Sequence, residues 1–208
     1  MPEIRAYRIA AHDTPLWALP NRRAGRFNGA GEGETQYLCL HPLGPWAEIL
    51  RAEGMDEEQA AQLRLPLWAL RVCLEDEPAR IGFENATEWG ISPQELVSDD
   101  HGACRRLARK LRADPAAPKA IVVPSAALPG TENLVLFGPR VRLRFLARPI
   151  DERDVPLSLL TEDGSAPRGL NELVHYRGEG HRHPALDAWE RGEDYAFREP
   201  STAHLAAA

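Results

Sequence analysis

The chain has 208 residues, 43% of them hydrophobic and 27% charged, a mixture that suits one core of ordinary size and excludes wholesale disorder. A formal net charge of −6 disfavours broad attraction to nucleic-acid phosphates or anionic membranes. No run approaches the roughly 20 apolar residues that cross a bilayer, and Cys39, Cys73 and Cys104 form no CxxC pair, so they read as buried free thiols rather than a disulfide framework or zinc knuckle.

The opening MPEIRAYRIAAHD lacks the apolar core of a secretion signal, and a cytoplasmic location is expected. Within it, EIRAYRI alternates, with Ile4, Ala6 and Arg8 on one face and Arg5, Tyr7 and Ile9 on the other; it predicts a short strand that His12-Asp13-Thr14-Pro15 breaks. A loop rich in Gly and Asn runs from Asn21 to Gly33. The β-branched and aromatic residues of TQYLCL, Thr35 to Leu40, predict a second strand. After the break at Pro42 to Pro45, Pro45 suits the first position of a helix that carries Glu48 near its start. Met55 to Gln62 reads as helical, and Leu67 to Glu75 as a half-buried strand with Trp68, Leu70, Val72 and Leu74 on one face.

Asp99 or Asp100 is placed to cap HGACRRLARKLR, an amphipathic helix with Ala103, Leu107 and Leu111 on its apolar stripe. Arg105, Arg106, Arg109, Lys110 and Arg112 cluster around that stripe and read as a solvated face. The runs Ala120 to Val123 and Asn133 to Phe137 predict buried strands. Val141, Leu143 and Phe145 alternate with Arg142 and Arg144 in a last core strand that Pro149 ends. Residues 1–150 thus read as the core and 151–208 as an irregular C-terminal extension, with Leu157 to Leu160 and Leu170 to Val174 as short apolar pieces. Trp189 and Tyr195 are candidate anchors of that extension to the core, to a second copy or over a site. His175, His181 and His183 with Asp187 lack the spacing of a metal site and read as surface residues; no metal is expected. Cys73 or Cys104 with His101 has no thiol-enzyme signature.

The densest polar signal lies in Tyr7-Arg8, Gly25-Arg26-Phe27-Asn28-Gly29, Tyr37 and Glu48, where Arg26 to Tyr37 and Tyr37 to Glu48 are each eleven residues. Later come Pro124-Ser125-Ala126 and Asn133-Leu134-Val135-Leu136-Phe137. Together these resemble the RES family, named for an Arg, a Glu and a Ser, for which Arg26, Glu48 and Ser125 are the candidates; the likeness covers roughly residues 4 to 150. The resemblance implies an α+β fold similar to the ADP-ribosyltransferase toxins, a core of mixed strands with flanking helices. It implies NAD as substrate and a role as the toxin of a bacterial toxin–antitoxin pair. Its partner would be a helix-turn-helix antitoxin seated over the active site, in a complex open to homo-oligomers, with no direct contact to nucleic acid or membrane.

The residue types suit that chemistry independently. A pyrophosphate favours a planar bidentate cation such as Arg26, with Asn28 beside it as a further binding candidate, and flanking glycines let backbone approach a ligand. Tyr37 and Tyr7 offer flat faces to a nicotinamide ring. Breaking a glycosidic bond develops positive charge on the ribose, which a carboxylate at Glu48 stabilises. Ser125 would bond the nicotinamide amide or a phosphate oxygen, and Asn133 would hold the loop around it. Two rivals stand beside NAD cleavage with water or phosphate as acceptor: mono-ADP-ribosylation of a protein, and a non-catalytic binding module.

Overall fold

The computed structural model describes residues 2–9, 23–138, 144–149 (as main chain), 164, 166–178 and 182–198. Seven strands form one sheet: β1 (Glu3–Ile9), β2 (Thr35–Cys39), β3 (Leu67–Cys73), β4 (Ala79–Arg80), β5 (Ala120–Pro124), β6 (Glu132–Phe137) and β7 (Arg144–Pro149). Their order is β4-β5-β6-β2-β1-β3-β7, and every neighbouring pair is antiparallel except β4 with β5. Among the described residues five α-helices accompany them: α1 (Gly44–Glu53), α2 (Glu57–Gln62), α3 (Pro93–Val97), α4 (Gly102–Ala113) and α5 (Pro184–Glu190). This is the α+β class expected. None of the described helices is long and apolar enough to cross a membrane.

The period of two in each strand sorts side chains onto two faces. Ala6, Leu38, Leu70, Val72, Val122, Leu134 and Leu136 pack together on one. On the other, Tyr7 pairs with Cys39, Cys39 with Asn133 and Asn133 with Val123, so one row across four strands begins and ends apolar but carries an amide. The next row holds Tyr37, Val135 and Ile121. Leu96, Val97, Leu107 and Leu111 of α3 and α4 cover that second row, and Trp46, Ala47 and Leu50 of α1 form a separate cluster with Leu128. Complete burial of such a Leu contributes about 2 kcal/mol.

Helix α1 begins flush against β2. A Cβ on Gly44 would lie 2.6 Å from Cys39 Cβ, so glycine is what lets the helix start there. Pro45 sits in its first turn, as expected, and Gly54 ends it in the left-handed region at φ 64°. Capping boxes start α2 (Asp56 with Gln59) and α3 (Ser92 with Glu95).

Two expectations are corrected. The N-cap of α4 is His101, without a side-chain cap bond; Asp100 reaches only Gly102 N (2.8 Å), while Asp99 is drawn away to an arginine of α1. The cations of α4 are also not simply solvated. Arg105 donates to Gly25 O (2.9 Å), Arg109 to Glu32 (2.7 Å), and Arg112 to Phe27 O (3.0 Å) and Thr35 Oγ1, so three of them brace the Gly-rich loop.

After residue 150 the described residues include a short turn of 3-10 helix, Leu170–Leu173, and helix α5. Ala166, Leu170 and Val174 join the cluster of α1, and Leu186 of α5 joins that of α3 and α4. Trp189 stays exposed with its ring 6.0 Å from Phe83, and Tyr195 lies against Gly130. Gly130 has φ +83°, and a Cβ there would meet Phe197 N at 2.5 Å, so both conformation and crowding demand glycine. Residues 141–143, Leu157 to Leu160 and His181 lie outside the described residues, as does the break at His12 to Pro15.

Candidate active site

The predicted residues gather into two groups on the same sheet face. The first is centred on Glu48. Its Oε1 accepts from Asn133 Nδ2 at 2.7 Å and from Ser125 Oγ at 3.3 Å, which joins α1, the end of β5 and the start of β6. Ser125 is fully buried, and its Oγ also accepts from Ala127 N (3.3 Å) and Leu128 N (3.1 Å), so one hydroxyl both folds the turn after β5 and orients the carboxylate. Cys39 lies in the row beneath: burial, and then the charge of Glu48, push its thiol well above the usual range. Tyr7, buried, stands beside Cys39 in that row.

The second group is the loop around Arg26. Tyr37 Oη accepts from Phe27 N (2.9 Å) and donates to Asn28 Oδ1 (2.6 Å); Asn28 Nδ2 donates to Arg23 O (3.0 Å) and Gly29 O (3.1 Å). Burial pushes the Tyr37 phenol up to about 12, so it remains protonated and holds its loop at neutral pH. A Cβ on Gly25 would sit 2.6 Å from Asn28 Oδ1 and 2.7 Å from Tyr37 Oη, so that glycine serves the loop itself. Arg26 Nη1 donates to Ser98 O (2.8 Å) and Leu96 O (3.1 Å), the carbonyl end of α3, where a cation is favoured.

Between the groups lies a set of residues that sequence reasoning missed. Arg51 of α1 is 3% exposed; Nη2 donates to Asp99 at 2.7 Å and Nη1 to the His175 carbonyl, with His175 Nδ1 at 3.0 Å. Gly178 N donates to the other Asp99 oxygen at 2.9 Å, so Arg51 and Asp99 together clasp the chain at 175–178. Burial, followed by the charges of Arg26, Arg177, Arg105 and Arg51, lowers His101 to about 4. Burial, followed by His175, lowers His183 to about 3, with Arg51 and Arg26 acting the same way. Arg26 and Arg51 therefore act on one another and on the same imidazoles, and a molecule of net charge −6 concentrates positive charge here. The surface reading of the histidines is corrected for His183, which is 4% exposed because α5 carries it under the Ser125 turn, and for His175, which the Arg51 clasp holds half-buried. The i,i+3 spacing of Glu48 and Arg51 on one helix was a signal available in the sequence.

Among the described residues no group of His, Cys, Asp and Glu is arranged to hold a metal ion. A cavity of about 540 Å³, lined by Glu34, Glu75, Arg112, Lys119 and Phe137, lies at the strand ends opposite those that carry Ser125 and Asn133.

Known proteins bear on this geometry. The chain is 29% identical over 131 residues to a probable NAD(+) phosphorylase of Mycobacterium tuberculosis, which covers 61% of this chain and 59% of that protein. Its fold is similar to a chain in the crystal structure of the M. tuberculosis MbcT–MbcA toxin–antitoxin complex, with a TM-score of 0.57 and 16% identity, over 73% of this chain and 86% of that one. Residues 5–159 match the RES domain, more than half of the sequence, and the chain accordingly belongs to the RES domain family.

Proposed function

We propose that this protein breaks the nicotinamide–ribose bond of NAD and passes the ADP-ribose to phosphate or water, depleting NAD as a growth-arresting toxin. The observation that carries the reading is the Glu48 carboxylate, fixed by Ser125 and Asn133 near the buried Arg51 and the half-buried Arg26. As the ribose C1′–N bond breaks, its electron pair stays with nicotinamide and positive charge develops on the ribose. A carboxylate already oriented by two donors stabilises that state more than the ground state and needs no reorganisation to do so. An oxygen of phosphate or water then bonds to C1′, the water losing its proton.

The other residues take supporting roles. The charges of Arg26 and Arg51 complement a pyrophosphate. Tyr37, half-buried with its hydroxyl tied to the loop, presents its ring to the nicotinamide, and the buried Tyr7 supports the site from β1. Asn28 supports by holding the Arg26 loop in shape. The name of the phosphorylase relative supports phosphate as acceptor, and the toxin–antitoxin complex supports an antitoxin partner, for which a helix-turn-helix protein in the cytoplasm is the proposed form. Matching 59% of the relative's length, the chain carries this reading as a proposal about its own site.

The test is nicotinamide release from NAD by purified protein, with and without phosphate, beside Glu48→Gln. Release that falls roughly 100-fold or more in the variant supports the reading, and dependence on phosphate identifies the acceptor. Equal release from both proteins overturns the role of Glu48; release only with an added acceptor protein replaces hydrolysis or phosphorolysis by protein ADP-ribosylation.

A further inference from the structure

His183 stands outside the region that matches the RES domain, yet it touches the catalytic group. It is the N-cap residue of α5, a position that favours Ser, Thr, Asp or Asn, and its side chain makes no cap bond. The imidazole turns inward instead, and Nε2 lies 3.0 Å from the carbonyl oxygen of Ser125. A carbonyl oxygen only accepts, so Nε2 carries the hydrogen and Nδ1 is the bare nitrogen. Nδ1 is buried and has no partner. The rings of His175 (5.1 Å) and Phe83 (6.3 Å) flank it, and the charges of Arg51 and Arg26 face it.

The backbone of Ser125 has a second anchor, its N–H donating to Thr131 O at 2.9 Å, which closes the turn that aims Oγ at Glu48. Pinned at both N–H and C=O, the residue has little freedom to redirect its hydroxyl. The clasp of Arg51 and Asp99 on residues 175–178, with His175 N donating to Ala127 O at 2.9 Å, holds the segment that delivers the imidazole.

We infer that His183 is a positioning residue of the active site, which acts through the Ser125 carbonyl to aim the Ser125 hydroxyl at Glu48, so that the C-terminal segment completes the catalytic group. Its neutral Nε2–H form is suited to this: it donates one directed hydrogen bond without adding a charge among Arg26, Arg51 and Glu48. The inference rests on the NAD-cleaving reading for its kinetic consequence and on geometry alone for its tautomer.

Two measurements separate those supports. ¹⁵N NMR of the full chain with labelled histidine should show His183 neutral and protonated at Nε2 at pH 5; an imidazolium or an Nδ1–H form overturns the geometry whatever the activity. In the nicotinamide-release assay, H183L should lower kcat about tenfold, the scale of one lost directed hydrogen bond, with KM for NAD little changed. H183Q, whose amide nitrogen reaches the same carbonyl, should recover most of that loss, and H183L should add little once Ser125→Ala is present. Full kcat in H183L, failure of H183Q to recover it, or an undiminished loss in the Ser125→Ala background overturns the inference. No release from the parent protein overturns the NAD reading instead and leaves the tautomer result standing.

Discussion

The Arg26 loop and the Glu48 group use the same kinds of polar residue in opposite ways. In the loop, Tyr37, Asn28 and the main chain saturate one another, and three arginines of α4 hold the result from outside. Around Glu48 the hydrogen bonds run between distant elements, and the oxygen of the same Asn133 amide that donates to Glu48 is buried without a partner. Buried polar atoms are nearly always paired, so on the proposed function this open Asn133 oxygen beside a fixed carboxylate is where a substrate would supply a partner. On the proposed function, the loop presents Arg26 and the Glu48 group meets the ribose.

This contrast makes substitutions in the two regions fail differently. Glu48→Gln should show the largest effect, a roughly 100-fold fall in nicotinamide release, with the urea midpoint nearly unchanged; a collapse of the fold would erase the distinction. Arg51→Leu should cost about 3 kcal/mol in urea denaturation, less than the upper range for a broken buried ion pair because Asp99 is 46% exposed. Tyr37→Phe should cost about 2 kcal/mol by stranding Phe27 N and Asn28 Oδ1, and would sharpen the comparison if NAD turnover per folded molecule survives.

A further effect is on pH dependence. His101 and His183 have folded values of about 4 and 3, below their ordinary 6.5, so the unfolded chain binds more protons between those limits. Their contribution to stability is complete above 6.5 and declines as pH falls toward 4. Urea midpoints at pH 7 and pH 5 should therefore drop in the parent and drop less in H183Q; an identical drop would remove His183 from the balance.

Strand positions were legible because a period of two is local: EIRAYRI, TQYLCL and NLVLF each carry their own alternation or apolar run, and the structure places β1, β2 and β6 on them. Arg26, Glu48 and Ser125 were singled out through a family pattern, and Glu48 and Ser125, which the structure brings together, were each visible as a helix start or a strand end. Their hydrogen bonds were not, since Glu48 and Asn133 meet only after the sheet sets β2 beside β6. The arginines of α4 misled for a related reason: a helical face shows its charges, but what lies opposite depends on a loop some 80 residues earlier. His183 left no signal, because its role comes from a helix start brought under a turn, and HxH spacing describes neither.

The timing of synthesis gives the Glu48 hydrogen bonds a further consequence. The ribosome makes the carboxylate 77 residues before the serine and 85 before the asparagine that hold it, and the histidine behind that serine a further 58 residues on. Strand β2, from which α1 sets out, must also await β6 for one of its neighbours. A nascent chain thus carries the Glu48 carboxylate through well over a hundred residues of synthesis before the serine, the asparagine and the histidine behind the serine have all emerged to orient it.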